Sequence, residues 1–172
     1  MGEFASQPVA LKRGPDTGRQ ALIAFRLNDQ EVSVDAPEGA TLLSVLTNQL
    51  HAAGQKFGCG KSQCGACAVL VDGERVTACQ TGAATAAGRS VTTLAGLRED
   101  GKPSRLQQAF IDEQAAQCGY CLSGMIITAQ ALLDRNPRPS EADVRSALNG
   151  NLCRCGSHNR IVRAVLRAAE EA

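Results

Sequence analysis

Eight cysteines in a chain of 172 residues constrain the fold more than any other feature. They fall into two sets of four with different spacings. Cys59, Cys64 and Cys67 form C-x4-C-x2-C, with Cys79 twelve residues further on. Cys118 and Cys121 form C-x2-C, and Cys153 and Cys155 form C-x-C. No apolar run approaches the roughly 20 residues that span a bilayer. Met1 to Gln20 is polar, broken by Pro8 and Pro15, and Lys12-Arg13 is followed by no apolar stretch, so nothing resembles a signal peptide. The expected location is the cytoplasm, with membrane association only through partners. In that reducing compartment, cysteines at this density more often bind metal than form disulfides.

The first set matches the plant-type ligand spacing of a [2Fe–2S] cluster. Such a cluster is anionic and needs a loop that wraps it closely and aims backbone N–H groups at sulfur. Gly58, Gly60 and Gly65 permit that approach, Ala66 adds little bulk, and Cys79 can fold back as the fourth ligand. Zinc prefers paired C-x2-C units, and a redox disulfide at Cys64 and Cys67 lacks a βαβ setting. The reading is a [2Fe–2S] cluster on Cys59, Cys64, Cys67 and Cys79.

The second set is less usual. Cys118 and Cys121 sit at i and i+3 around a helix start, where free N–H groups and the helix dipole favour anionic sulfur. In an extended segment alternate residues face one side, so Cys153 and Cys155 can also present two sulfurs together. Spacing alone leaves either a second cluster or zinc in a helical knuckle.

The formal charge of +1 and the lack of a basic face leave nucleic acid no electrostatic footprint. With no Trp, one Tyr and four Phe, the core must be aliphatic. Residues 1–20 read as a flexible tail. Ala21–Leu27 and Glu31–Asp35 read as strands joined by Asn28-Asp29-Gln30, and Thr41 caps a helix through Leu50. After the cysteine loop, 68–71 and 75–78 flank Asp72-Gly73, a hairpin signal, and Val91–Leu94 adds a strand. That order predicts a β-grasp, ferredoxin-like domain over 21–96. The joint lies near Gly96 to Lys102. From Pro103 the periodicity turns helical, with starts at Pro103-Ser104, Cys121, Ser140 (a capping box with Asp143) and Asn159. A four-helix domain over 103–172 then holds the second set, and the fold class is α+β.

Gln117-Cys118-Gly119-Tyr120-Cys121, Gly124-Met125 and Asn151-Leu152-Cys153-Arg154-Cys155 resemble the iron–sulfur subunits of the molybdenum hydroxylases. That family includes xanthine, aldehyde and carbon monoxide dehydrogenases and bacterial N-heterocycle hydroxylases. The likeness runs from about Ile23 to Ala168. Phe110 to Gln117 and Cys155-Gly156-Ser157-His158 are most similar to the nicotinate and isoquinoline oxidoreductase branch. The resemblance implies a second [2Fe–2S] cluster on Cys118, Cys121, Cys153 and Cys155, near the pterin of a molybdenum cofactor held by a separate large subunit. It implies that Gln117 hydrogen-bonds the pterin and that Cys155 lies close to it while ligating iron. Substrate, an N-heterocycle or an aldehyde, is then hydroxylated on the large subunit. Electrons leave through the helical cluster and then the β-grasp cluster to a cytochrome c or a flavin (FAD) subunit. This chain would carry no substrate site and no catalytic residue. Lys61-Ser62 departs from the acidic-then-glycine pair common elsewhere in the family.

The rival reading is a free two-cluster, ferredoxin-like carrier, which has no use for a domain that contacts pterin. His51 and His158 read as surface or capping groups, since eight thiolates already fill two clusters. Asp112 and Glu113 read as a solvated helix face. Tyr120 is expected beside the helical cluster or the large subunit. Arg160, Arg163 and Arg167 form a stripe that either meets an acidic partner or is solvated.

Overall fold

A computed structural model describes residues 20–171. The tail expected over residues 1–20 lies outside them except for Gln20, which begins β1 (Gln20–Leu27). β1 pairs antiparallel with β2 (Gln30–Pro37) through Asn28 and Asp29, both at positive φ (48° and 67°). Asn and Asp tolerate that left-handed turn, whose twist matches the flanking strands. Period-2 alternation puts Ile23, Phe25, Leu27, Val34 and Ala36 into one core.

Thr41 caps the next helix as expected, its hydroxyl accepting the N–H of Ser44. The helix differs from the sequence reading in its winding. Only α1 (Leu42–Ser44) is α-helical, and Val45–Gln49 continues as a π-helix closed by Leu50 N–H to the Val45 carbonyl. Leu42, Leu43, Val45 and Leu46 are all buried against the sheet.

β3 (Ala68–Val71) and β4 (Glu74–Thr77) make the hairpin that Asp72-Gly73 signals. β5 (Ser90–Thr92) is shorter than the strand expected over Val91–Leu94. Thr93 leaves the ladder because its N–H and hydroxyl pair with the Asn28 side chain, and Leu94–Leu97 then forms a 3-10 turn. β5 lies between β1, which it meets in parallel, and β3, which it meets antiparallel. The sheet order is β2-β1-β5-β3-β4.

At the joint, Asp100 and Gly101 have positive φ, and Glu99 and Lys102 exchange both backbone hydrogen bonds. Four helices follow: α2 (Arg105–Asp112), α3 (Leu122–Arg135), α4 (Glu141–Leu148) and α5 (His158–Glu170). α2 and α4 begin with capping boxes, Ser104 with Gln107 and Ser140 with Asp143. Their apolar faces close a second core around Met125, Phe110, Val144 and Val165.

β3 is buried along its whole length, and its alternation explains why. Val69 and Val71 face the first core, while Ala68 and Leu70 face Ile127 and Ala131 of α3. The sheet therefore has a helix on each side, and α3 belongs to both halves of the molecule.

Asp112 is exposed and Glu113 partly so, near the solvated face expected, but both have cations beside them. Arg163 pairs with Glu113 at 3.0 Å and Arg167 with Asp112 at 3.1 Å, so the α5 arginine stripe meets acids of its own chain. Exposed pairs of this kind add little to stability.

Candidate metal centres

The loop from Lys56 to Cys67 is shaped around sulfur. Its base is closed by Lys56 N–H to the Ala66 carbonyl. Cys59 Sγ accepts N–H bonds from Lys61, Gln63 and Cys64, each at 3.3 Å, and Cys59 N–H points at Cys64 Sγ at the same distance. Curling the backbone this way needs positive φ at Gly60 and also at Ser62 (59°), where Ser62 Oγ lies 2.6 Å from Thr77 Oγ1 of β4. A Cβ at Gly58 would sit 2.6 Å from Cys64 Sγ, so glycine is required there to admit the sulfur.

The electrostatics follow the hydrogen bonds. The N–H groups of Lys61 and Gln63 lower the Cys59 thiol to about 7, as a loop built for thiolate should. Cys67 is buried, and burial raises its thiol to about 11, with the neighbouring Cys79 thiol adding to the effect. Cys79 follows the β3–β4 hairpin and is held beside Cys67 by Ala78 N–H to the Cys67 carbonyl.

The second set lies where α3 and α5 begin. Cys121 occupies the N-cap of α3 without a side-chain capping bond, and Cys118 precedes it on an exposed turn. Cys153 and Cys155 lie in the break between α4 and α5. Across the two segments, Cys155 Sγ is 3.5 Å from Cys118 Sγ. Burial pushes Cys121 up to about 12. Burial also pushes Cys153 upward, but Ser157, Cys121 and backbone N–H groups outweigh it and bring that thiol to about 7.

None of the eight cysteines is in a disulfide. Among the described residues no three His, Cys, Asp or Glu side chains converge as a single ion would need. A glycine-rich loop that aims several backbone N–H groups at thiol sulfur suits an anionic binuclear cluster better than tetrahedral zinc. With its N–H cradle and sulfur-admitting glycine, the first loop fits such a cluster, and the second set fits one too.

His51 and His158 are exposed, and neither hydrogen-bonds a cysteine. Gln117 is exposed, one residue before the exposed Cys118. Tyr120 reaches the other loop, its hydroxyl donating to the Phe57 carbonyl. The two loops also touch directly, which sequence reasoning did not foresee. Leu152 N–H donates to the Cys64 carbonyl at 3.0 Å. A Cβ at Gly65 would fall 2.4 Å from the Asn151 amide nitrogen and 2.6 Å from the Gly150 carbonyl, and one at Gly124 only 2.0 Å from the Gly65 carbonyl. The lone signal was Gly124, a glycine inside a helical pattern, which often marks close backbone approach.

A β-grasp sheet with one set of four cysteines, joined to a helical half with another, defines the class of two-cluster iron–sulfur proteins. Comparison with known families agrees in both halves. Residues 25–95 match the 2Fe-2S iron-sulfur cluster binding domain, and residues 93–166 match the [2Fe-2S] binding domain. One of the nicotinate dehydrogenase subunits of Pseudomonas putida is 54% identical over 151 residues, covering 88% of this chain and 96% of that one. The alpha chain of isoquinoline 1-oxidoreductase from Brevundimonas diminuta is 49% identical, covering 88% and 99%. The crystal structure of quinoline 2-oxidoreductase from Pseudomonas putida 86 superposes with a TM-score of 0.84 at 35% identity, covering 88% of this chain and 94% of that one. The chain belongs to the [2Fe–2S] small subunits of the molybdenum hydroxylase family.

Proposed function

We propose that this chain is the electron-transfer subunit of a molybdenum-cofactor hydroxylase acting on an N-heterocycle or an aldehyde. Cys59, Cys64, Cys67 and Cys79 hold one [2Fe–2S] cluster, and Cys118, Cys121, Cys153 and Cys155 hold the other. When bound, the clusters supply one-electron storage at fixed positions, while bond chemistry belongs to the partner. The chain's own residues position and insulate. Backbone N–H groups of Lys61, Gln63 and Cys64 stabilise anionic sulfur in the first loop, and the α3 N-terminus does so in the second.

The observation that carries this reading is the placement of the C-x-C segment. Its Cys155 pairs with exposed Cys118 beside Gln117, and the residue before Cys153 is hydrogen-bonded to Cys64 of the other loop. One end is open to a partner and the other is joined by a short backbone route to the first set of cysteines. Gln117 and Cys155 are the groups we assign to contact with the pterin of the large subunit. Exposed Phe57, Tyr120 and Leu152 flank both loops, an apolar surface suited to a lasting subunit interface and costly on a free carrier. The acceptor beyond the β-grasp cluster is a cytochrome c or a flavin subunit. No described helix is long and apolar enough to cross a membrane. We place the chain in the cytoplasm, where cysteines at this density more often bind metal than form disulfides.

Purification with the native neighbours tests the reading. A tight complex containing molybdopterin, with two distinct [2Fe–2S] electron paramagnetic resonance signals after dithionite reduction, is expected. A monomer with two clusters and no partner would instead make the chain a free carrier. Cys155→Ser should damage the helical-cluster signal and stop turnover while sparing the β-grasp signal.

A further inference from the structure

Three serines stand at the N-caps of the last helices, and one of them does not cap. Ser104 and Ser140 have extended backbones (ψ 163° in both), and each hydroxyl accepts an N–H of its own first turn. That is the usual geometry of an N-cap. Ser157, at the start of α5, has φ −79° and ψ 9° and makes no side-chain capping bond. Its residue is only 8% exposed, so the hydroxyl is not simply hydrated. It lies 3.6 Å from Cys153 Sγ, its one hydrogen-bond partner among the described residues.

A sulfur that ligates iron has no proton to give, so in this pair only the hydroxyl can donate. The first loop has no counterpart. Cys59 Sγ receives backbone N–H groups alone, and the hydroxyl of Ser62 is engaged by Thr77. Reduction adds one electron to a cluster and increases the negative charge on its sulfurs. A donor aimed at sulfur therefore favours the reduced state, and hydrogen bonds to sulfur are among the levers that set cluster potential.

We propose that Ser157 tunes the helical cluster, its hydroxyl donating to Cys153 Sγ and raising the reduction potential of that cluster alone. The proposal rests on the two-cluster reading above. It makes the helical cluster the better acceptor for the first electron by a side-chain contact, a means the β-grasp loop does not use.

Redox titration of the intact complex, followed by electron paramagnetic resonance with dithionite and mediators, tests it. Ser157→Ala should move the helical-cluster midpoint to more negative potential and leave the β-grasp midpoint in place. Ser157→Thr, which keeps a hydroxyl, should titrate like the native protein. An unmoved helical midpoint in Ser157→Ala, with both signals present, overturns the proposal but leaves the two-cluster reading intact. A native complex with only one [2Fe–2S] signal removes that reading and the proposal with it. If the Ala variant loses the helical cluster, the isosteric pair Ser157→Thr and Ser157→Val decides. A more negative midpoint in Val than in Thr supports the tuning role. Equal midpoints, or loss of the cluster in Val alone, make Ser157 a structural residue and overturn it.

Discussion

At the scale of single residues, the thiols and the glycines around them carry the function, and they were not equally legible. The spacing of Cys59, Cys64 and Cys67 identifies a cluster loop because few other sites use it. The reason for each glycine is hidden, since a glycine needed for positive φ and one needed for close approach look alike in a sequence. Gly58 is of the second kind, for its missing Cβ is what admits Cys64 Sγ. Gly58→Ala should therefore reduce or abolish the β-grasp signal and leave the helical signal intact, as read by electron paramagnetic resonance of the reduced complex. Asp72 poses a different test. Its carboxylate accepts Ser90 N–H at 2.8 Å and Arg89 Nε at 2.6 Å, which together hold its pKa below the ordinary 3.8. A carboxyl with a lowered folded pKa adds stability above its unfolded pKa, and that stability is lost as pH falls through the folded value. Asp72→Asn keeps a side chain that tolerates the positive φ here (50°) but removes the charge. The variant should lose its visible cluster absorption at a lower temperature than the native protein. That gap should stay constant from pH 7 to about 5 and close only below the ordinary carboxylate pKa of about 3.9.

At the scale of elements, local chemistry announced most boundaries. The Asp72-Gly73 turn and the caps at Thr41, Ser104 and Ser140 are each set by residues within four positions, so these boundaries can be read without knowing what lies across the fold. Ser104 is buried and completes a reciprocal box with Gln107, whose amide also donates to the Leu94 carbonyl. Ser104→Ala should cost about 1 kcal/mol. The loss should appear as a lowered denaturation midpoint, followed by circular dichroism of the helices, and Ser104→Asp should recover part of it. The elements misjudged from sequence are those decided at a distance. Thr93 carries strand propensity but is captured by Asn28, 65 residues away, which ends β5 early. The π-helical stretch after Ser44 has the same apolar pattern as an α-helix, and nothing in the pattern distinguishes the two. The arginine stripe on α5 reads either as a surface for an acidic partner or as solvated until α2 is folded against it, when Asp112 and Glu113 supply acids to Arg163 and Arg167.

At the scale of the whole molecule, the question is whether two cluster-bearing halves behave as two bodies or one. The sequence, which changes period near Pro103, suggests two. The packing argues for one. Three kinds of contact cross the joint: the backbone bond from Leu152 to Cys64, the bond from Arg75 Nε to Thr128 Oγ1 at 2.9 Å, and the apolar cluster of Ala68 and Leu70 with Ile127 and Ala131. Leu70 is decisive because β3 presents it away from the first core and directly to α3. Leu70→Ala removes no ligand and lies in neither cysteine loop. It should still cost about 2–5 kcal/mol, as buried leucine truncations do. If the halves were independent, that loss would fall on the sheet and leave the helical cluster as stable as before. Because α3 supplies both the other side of this contact and the N-terminus beside Cys121, destabilising the contact should loosen both ligand sets together. Heating the variant and freezing samples along the way should show both [2Fe–2S] signals fading at one lowered temperature. Two separate temperatures, with the helical one unchanged, would show that the joint transmits nothing. A fixed separation between the two cysteine sets requires the single transition, because the Leu152–Cys64 backbone bond persists only while the two halves stay locked.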